Sequence, residues 1–593
     1  MKMLLTAINA KYIHSNLAVY SLSAYAKKYA QPKRQDHNTI EIAEYTINNY
    51  TDFILEGIYK AKPDVLCFSC YIWNISYVSE LAQEFHKLCP HVPIWVGGPE
   101  VSYETEKFLK SHREITGVMI GEGEKTFTKL YEYYADGGAD LSKIPGIAYR
   151  DGEQVHVTQS QETLDMSEIP FCYENVGNFK NRIIYYESSR GCPFSCSYCL
   201  SSVEKQLRFR DTALVKQELL FFMQREVPQV KFVDRTFNCR HTHAMEIWTF
   251  IKEHDNGITN FHFEISADLL TEEELSLIGS MRPGLIQLEI GVQSTNEATI
   301  LEIHRTMRLQ RLKEVVKEIQ GHGNIHEHLD LIAGLPYEDY DTFARSFDEI
   351  YALRPNQLQL GFLKVLKGSY MYEHANEYQI LYHQRPPYEV LKTKWLDYSD
   401  VLRIKQVEEM LEVYYNSGQF EVTLKVLGAV YHSAFLMFQE LGAFYERHGY
   451  FGMSHSRIRR CEILLEFLEL DLPRQGGALH GNVNIETVVD VVRESLVFDL
   501  YYRENCKSRP VWAEDPGGWK QTAKLYCKNG KLSHIERFHY RFPEKSVRVL
   551  KQLPEYLNEG VFALFDYQNR DPLDYQANVS WVTETGINRE AGK

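Results

Sequence analysis

Two long stretches of this chain alternate short, wholly apolar runs with amphipathic segments, and few folds accept that pattern. The first reads as strand "MKMLLTAI", helix "NLAVYSLSAYAKKYA", strand "TIEIAEYTI", helix "TDFILEGIYKA", strand "PDVLCFSCYIW", helix "SYVSELAQEFHKLC", strand "PIWVGGPE", and a last strand and helix in "GVMIGEGEKTFTKLYEYYA". Strands that are apolar throughout need cover on both faces, and helices between them supply it. Residues 1–150 therefore predict a Rossmann-like, doubly wound sheet whose ligand sits at the C-terminal ends of its strands.

The second stretch carries six strand-like runs: "RIIYYESSRG", "VKFVDRTFN", "FHFEISADLL", "LIQLEIGVQS", "HLDLIAGLPYED" and "QLQLGFLKVLKGS". Helix-like polar segments separate them, which predicts a parallel sheet in a partial barrel of six β/α units over residues 181–375, after a linker at 151–180. Beyond residue 375 the alternation stops. Residues 380–505 read as aromatic-rich helices, and from about 519 strand signals return, with a hairpin turn at Asn529-Gly530 and a further strand pair in "VFALFDYQNRDPLDYQANVSWV". The fold class is α/β, with a 376–593 extension that is mostly helical and then α+β. That extension shows no catalytic constellation, and its basic run "SHSRIRRCE" reads as a solvated helix face.

At 593 residues the chain exceeds what one hydrophobic core supports, so several domains are expected. A net charge of -15 gives no strong nucleic-acid signature. No apolar run reaches the eighteen residues of a membrane span, and the start lacks the pattern of a signal peptide, so a cytoplasmic protein with no membrane partner is expected. In a reducing compartment its eleven cysteines form no disulfide framework.

A tight group of cysteines points instead to metal. Cys192, Cys196 and Cys199 stand in "SSRGCPFSCSYCLSS", on a loop after the first barrel strand. Zinc prefers four ligands, and His241 and His243 lie about forty residues on at no usual zinc spacing. A redox C-x-x-C pair needs no third cysteine. An iron-sulfur cluster held by three thiolates fits better and leaves one iron open.

The C-x-x-x-C-x-x-C spacing resembles that of radical S-adenosylmethionine (SAM) enzymes. The resemblance implies that Cys192, Cys196 and Cys199 bind a 4Fe-4S cluster whose open iron holds SAM, with Tyr198 near the adenine. "GVQS" and "DLIAGLPYED" resemble the superfamily's fourth- and fifth-strand segments, which adds Gln293 and Gly334 to the SAM site. Among polar residues at strand ends, Asp234, Glu264, Glu289 and Asp330 are site candidates or, equally, structural caps and ion pairs. Cys239, after the second barrel strand, is either a thiol or hydrogen-atom source near the substrate or a buried small residue.

In the first domain, "NAKYIHSNLAVYSL", "FSCYIWN", "VGGPE" and "GEGE" together resemble the cobalamin-binding domain that precedes the radical SAM barrel in one large subclass. On that resemblance Asn9, His14, Asn16, Ser69, Tyr71, Gly97, Gly98, Pro99, Gly121 and Gly123 contact cobalamin. The turn departs from the Asp-x-His-x-x-Gly cobalamin motif, with Tyr12 and Leu17 in place of its Asp and Gly, so His14 is not expected to ligate cobalt. Radical SAM methylthiotransferases share the domain order but hold a second cluster there. Cys67, Cys70 and Cys89 cluster late in this domain and read as buried residues.

What the resemblance implies is a cobalamin-dependent radical SAM enzyme, a transferase that generates a 5'-deoxyadenosyl radical and methylates an unactivated carbon. An electron donor such as flavodoxin or ferredoxin would serve it. Cyclisation or rearrangement, or a methylthiotransferase-like enzyme acting on RNA or protein with its first domain as a docking module, are the alternatives. The substrate is not legible.

Overall fold

A computed structural model describes the chain except residues 34–36, 139, 475–478, 481–483, 514–531 and 583–593. The described residues fall into two compact units, one of residues 1–291, 298–318 and 362–394, the other of 292–297, 319–361 and 395–593.

The first unit begins with strands β1 (Lys2–Asn9), β2 (Thr39–Thr46), β3 (Val65–Ser69), β4 (Ile94–Gly97) and β5 (Gly117–Met119), interleaved with helices α1 (Leu17–Tyr29), α2 (Thr51–Ala61), α3 (Ile75–Leu88), α4 (Thr105–Ser111) and α5 (Gly123–Ala135). The strands pair in parallel in the order β2-β1-β3-β4-β5. Two antiparallel strands, β6 (Ile147–Asp151) and β7 (Gln154–Val157), extend the sheet past residue 150. Each face has its own core. Met3, Leu5 and Ala7 pack with Val19, Phe127 and Leu130 of α1 and α5, while Leu4 and Ile8 pack with Ile54, Val78 and Leu109 of α2, α3 and α4. The sheet is thus doubly wound, and its order reverses between β1 and β3, where such sheets open a ligand crevice. Cys67 belongs to one core and Cys70 to the other, as a spacing of three along an extended segment requires.

The same unit continues with β8 (Ile184–Tyr186), the two-residue strands β9 (Ser189–Arg190) and β10 (Arg208–Phe209), helix α6 (Thr212–Gln224), β11 (Gln229–Phe232), α7 (His241–Glu253), β12 (Asn260–Ile265), α8 (Glu272–Gly279) and β13 (Ile286–Gln293), whose last two residues fall in the other unit. β8, β11, β12 and β13 pair in parallel in that order. Their residues alternate. Ile184, Tyr186, Val230, Phe232, Phe261 and Phe263 are buried on one side, where the aromatic rings also meet Phe222 of α6 and Phe237, with Trp248 of α7 packed against Phe237 and Phe263. Tyr185, Lys231, His262, Glu264 and Glu289 take the other side.

The second unit carries the further alternating elements β14 (His326–Ala333), α11 (Tyr340–Tyr351) and β15 (Gln357–Phe362, its last residue in the first unit); α9 (Glu297–Glu302) and α10 (Leu309–His322) lie between β13 and β14 in sequence. Strands and helices thus recur at all six expected places. Helices at Tyr398–Met410, Glu421–Val430, Ala434–Arg447, Arg457–Leu470 and Ile485–Arg503 follow, then an antiparallel sheet of Ser533–Tyr540, Tyr556–Asp566 and Asn578–Val582. Phe498 of the last helix packs on Phe538 and Phe565 of that sheet. The Asn529-Gly530 turn lies outside the described residues. In the basic run, Arg459 pairs with Glu462 and Glu466. Among the described residues no helix is long and apolar enough to cross a membrane.

Candidate functional site

The turns that follow β1, β3, β4 and β5 open onto one cavity of about 1120 Å3. Asn9, His14 and Asn16 line it from the first turn, Ser69 and Tyr71 from the second, Gly97, Gly98 and Pro99 from the third, and Gly121 and Gly123 from the fourth. The same cavity is lined by Tyr185, Glu187, Ser189, Arg190 and Arg235 at the ends of β8, β9 and β11, and by Gly191 and Leu200 of the cysteine loop.

Local chemistry sets each turn. Asn16 caps α1 by accepting from the Val19 N–H at 3.2 Å, and its amide donates to Ser69 Oγ at 3.1 Å, which ties the first turn to the end of β3. Gly98 has φ +118°, and a Cβ there would lie 2.4 Å from the Cys70 carbonyl oxygen, so only glycine allows the β3 and β4 turns to approach. Gly121 has φ +74° with open space on its Cβ side. Tyr71 stacks on Trp73 at 4.4 Å, and Trp73 donates its indole N–H to the Ile8 carbonyl at 3.1 Å. His14 Nδ1 lies 2.6 Å from the Tyr185 hydroxyl. Burial, then the charges of Lys11 and Lys231, hold its pKa below the usual histidine value. His14 is therefore a half-buried residue of the cavity wall.

The three cysteines occupy a loop closed at its base by the antiparallel β9–β10 pair. Gly191, at φ +88°, enters the loop where a Cβ would lie 2.4 Å from the Gln206 carbonyl oxygen. Cys192 and Cys196 are buried and Cys199 half-buried. Burial pushes the Cys192 thiol up, while the Phe194 N–H and Thr236 hydroxyl oppose this, and the adjacent Cys199 and Cys196 add to the rise. Arg305, from the segment between α9 and α10, brings a guanidinium to 3.8 Å from Cys196 Sγ and 3.4 Å from the Tyr198 hydroxyl, and it also donates to the Gly291 carbonyl. Among the described residues its Nε is buried without a hydrogen-bond partner. Sequence reasoning passed over Arg305 because "HRTMR" looks like any polar helix.

The remaining strand-end candidates divide. Asp234 is fully buried and accepts from the Ser188 N–H at 3.0 Å, the Ser188 hydroxyl at 2.6 Å and the Ser189 hydroxyl at 2.5 Å; burial raises its carboxyl to about 6. Those bonds fix the start of the cysteine loop, which makes Asp234 a positioning residue. His243 is held by the Ser188 hydroxyl at 2.9 Å and lowered by burial to about 4. Burial acts to raise Glu289, but the hydrogen bond from His262 at 3.0 Å and the Lys231 ammonium at 2.9 Å bring it to about 2. Glu264 faces Glu289 in register on β12. Cys239 is half-buried in a short turn after β11, its thiol raised to about 11 by burial, with Cys192 and Asp234 adding. In the second unit, Gln293 ends β13 at φ +75° with its side-chain oxygen unpartnered among the described residues, Asp330 sits 3.1 Å from His328, and Gly334 follows β14 at φ +88°.

Family models match three parts of the chain: a B12 binding domain over residues 3–131, the radical SAM superfamily over 186–350, and a protein of unknown function (DUF4080) over 376–552. The cobalamin-dependent radical SAM methyltransferase TokK of Streptomyces tokunonensis is 27% identical over 318 residues, 48% of this chain and 44% of that protein. The anaerobic magnesium-protoporphyrin IX monomethyl ester cyclase of Synechocystis sp. is 22% identical over 315 residues, 52% of this chain and 61% of that one. The chain spans about half the length of the curated relatives it matches. The solved structure of the cobalamin-dependent SAM radical enzyme OxsB with aqua-cobalamin and SAM shares the fold, with a TM-score of 0.56 at 16% identity over 84% of this chain and 80% of that one.

Fold, cysteine loop and family models define a radical SAM protein. A B12-binding domain thus stands ahead of a radical SAM domain in this chain, the order also found in the cobalamin-dependent radical SAM proteins it resembles. The domain pair implies a 4Fe-4S cluster, SAM and cobalamin. The residues present fit these groups: three soft sulfur donors share one loop, a buried guanidinium with a spare N–H lies beside them, and glycine turns open onto a cavity larger than a drug-sized site.

Proposed function

We propose that this chain is a cytoplasmic, cobalamin-dependent radical SAM enzyme that methylates an unactivated carbon, with a flavodoxin or ferredoxin as electron donor. One observation carries the reading: a single cavity is lined both by the glycine turns of the B12-binding domain and by Gly191 and Leu200 of the cysteine loop. When bound, the cofactors supply a 5'-deoxyadenosyl radical for hydrogen abstraction and a methyl group on cobalt for transfer.

The protein's own part is to hold and exclude. Cys192, Cys196 and Cys199 hold the cluster, Arg305 offers its spare N–H to the carboxylate of SAM, and the turns carrying Gly97, Gly98 and Gly121 let the corrin approach the backbone. Tyr185 and the Lys231–Glu289–His262 array give the barrel strands a polar side, suited to orienting a substrate that carries hydrogen-bonding groups.

Anaerobic reconstitution with iron, sulfide and hydroxocobalamin, followed by gel filtration, tests the reading. Near one corrin and about four irons per chain is the expected result. About four irons without retained corrin would reduce the first domain to a docking module. Similarity to the magnesium-protoporphyrin cyclase favours a second reading, cyclisation without methyl transfer. Label from methyl-labelled SAM enters the product in the first reading and not in the second.

A further inference from the structure

The cysteine loop is pinched at its base, and the pinch is charged. Arg190 and Arg208 stand opposite each other in the β9–β10 ladder, and Arg190 lies two residues before Cys192. Both guanidinium groups reach carboxylates where the β5 turn enters α5, Glu122 at the cap and Glu124 in the first helical turn. Arg190 donates to Glu124 at 2.6 and 3.3 Å, lies 3.5 Å from Glu122, and also donates to Glu187 at 3.0 Å. Arg208 forms a two-pronged pair with Glu122, its second contact at 3.0 Å, and also meets Glu204 at 3.1 Å and the Leu164 carbonyl at 2.8 Å. Glu124 accepts in addition from the Ser21 hydroxyl of α1 at 2.9 Å. The arginine side chains are 16% and 11% exposed, the Glu124 side chain 5% and the Glu122 side chain 21%, so these charges are largely taken out of water.

The placement of the carboxylates matters as much as their burial. Glu122 and Glu124 flank Gly123, and all three line the cavity together with Gly121. The turn that faces the cavity therefore carries on its other groups the anchors of the cluster loop. Two-pronged arginine–carboxylate pairs fix orientation as well as distance, and breaking a buried pair leaves an uncompensated charge. Neither the turn nor the base of the loop can shift alone.

We propose that Arg190–Glu124 and Arg208–Glu122 form a clamp that makes the corrin turn and the cysteine loop one cooperative unit, so that cobalamin and SAM strengthen each other's binding. This rests on the function proposed above. The four residues act as positioning residues through the glycine turn and the loop. Linkage requires the effect to be reciprocal: the factor by which cobalamin tightens SAM equals the factor by which SAM tightens cobalamin.

The test uses the full chain, reconstituted anaerobically and kept without reductant so that SAM is not turned over. SAM dissociation is measured by equilibrium dialysis with and without saturating hydroxocobalamin, and hydroxocobalamin binding by its visible spectrum with and without SAM. In the wild type both affinities rise by the same factor, at least about fivefold. In Glu124→Gln, and independently in Glu122→Gln, the factor falls towards one while iron content holds at about four per chain. In separate samples without SAM, reduced after corrin loading, the electron paramagnetic resonance spectrum of the cluster also differs between corrin-loaded and corrin-free protein in the wild type and not in the variants.

A wild-type factor of one with corrin and cluster both bound overturns this inference alone. So does a factor unchanged in both variants. Should Glu124→Gln fail to fold, Glu122→Gln and the wild-type factor still decide. A wild-type chain that retains no corrin removes the functional reading, and this inference with it.

Discussion

The two sheets of parallel strands in the first unit are built from similar strands and present different surfaces at their open sides. In the sheet of β1 to β5 both faces are packed into apolar cores, and the groups that face the cavity come from the strand ends, Asn9 and Ser69, and from the turns beyond them. In the sheet of β8 and β11 to β13 one face is packed with aromatics and the other carries Tyr185, Lys231, His262, Glu264 and Glu289. The first sheet offers glycine turns and backbone at its rim, which would suit a large cofactor. The second presents side chains from its strands, as suits a small reacting molecule. His14 and Tyr185, 2.6 Å apart, are where the two modes touch.

That contrast can be broken from either side. The largest effect is expected in the cysteine loop: Cys196→Ala should lower iron from about four per chain to near zero and abolish 5'-deoxyadenosine formation, while hydroxocobalamin is still retained. Unchanged iron would remove the cluster assignment. Next comes the carboxyl that fixes the start of that loop. Asp234 keeps its proton to about 6 when folded, against an ordinary value of 3.8, so the folded state binds the proton more tightly and stability is lost as pH rises between those values. From pH 4 to 6.5 the wild type should lose about 2 kcal/mol more than Asp234→Asn in denaturant unfolding. Parallel curves would show that the three donors already hold the charged form.

On the other side, Gly98→Val places a branched side chain at φ +118° against the Cys70 carbonyl. Strain of about 1–3 kcal/mol should weaken hydroxocobalamin binding roughly tenfold, read by spectral titration, with iron content unchanged. Equal loss of iron and corrin would mean that the rim mode is not local to the first sheet. The smallest change is at the junction. Tyr185→Phe removes the hydroxyl beside His14 and should cost about 1 kcal/mol in thermal unfolding, and a null effect would show that the two sheets do not rely on that contact.

The alternation of strand and helix was legible because each strand's period and each helix's apolar face appear within a few residues of sequence. The cysteine spacing was legible for the same reason, since its three ligands lie within eight residues. Groups whose partners lie far along the chain were not. Arg305 meets Cys196 across 109 positions, and Arg208 meets Glu122 across 86, with nothing local to mark either. The "GEGE" turn was read for its glycines, while Glu122 and Glu124 between and after them hold the arginines. Asp234 had the position of a site residue, and only its three hydrogen-bond donors reveal a fastening. Asn16, a site candidate by resemblance, is also a helix cap, and the two roles share one side chain.

Cys67 and Cys70 have a bearing on how such a protein is loaded with metal. They are three positions apart in sequence, yet the sheet lies between them, each buried in its own core, Cys67 also bordering the cavity, with its thiol pushed far above the ordinary range by burial. Iron and sulfide reaching the apoprotein find no shared nucleation point in that pair, since both thiols keep their protons and point apart. Fidelity of cluster assembly is in this way secured by packing: these two cysteines cannot compete with the loop for the incoming metal.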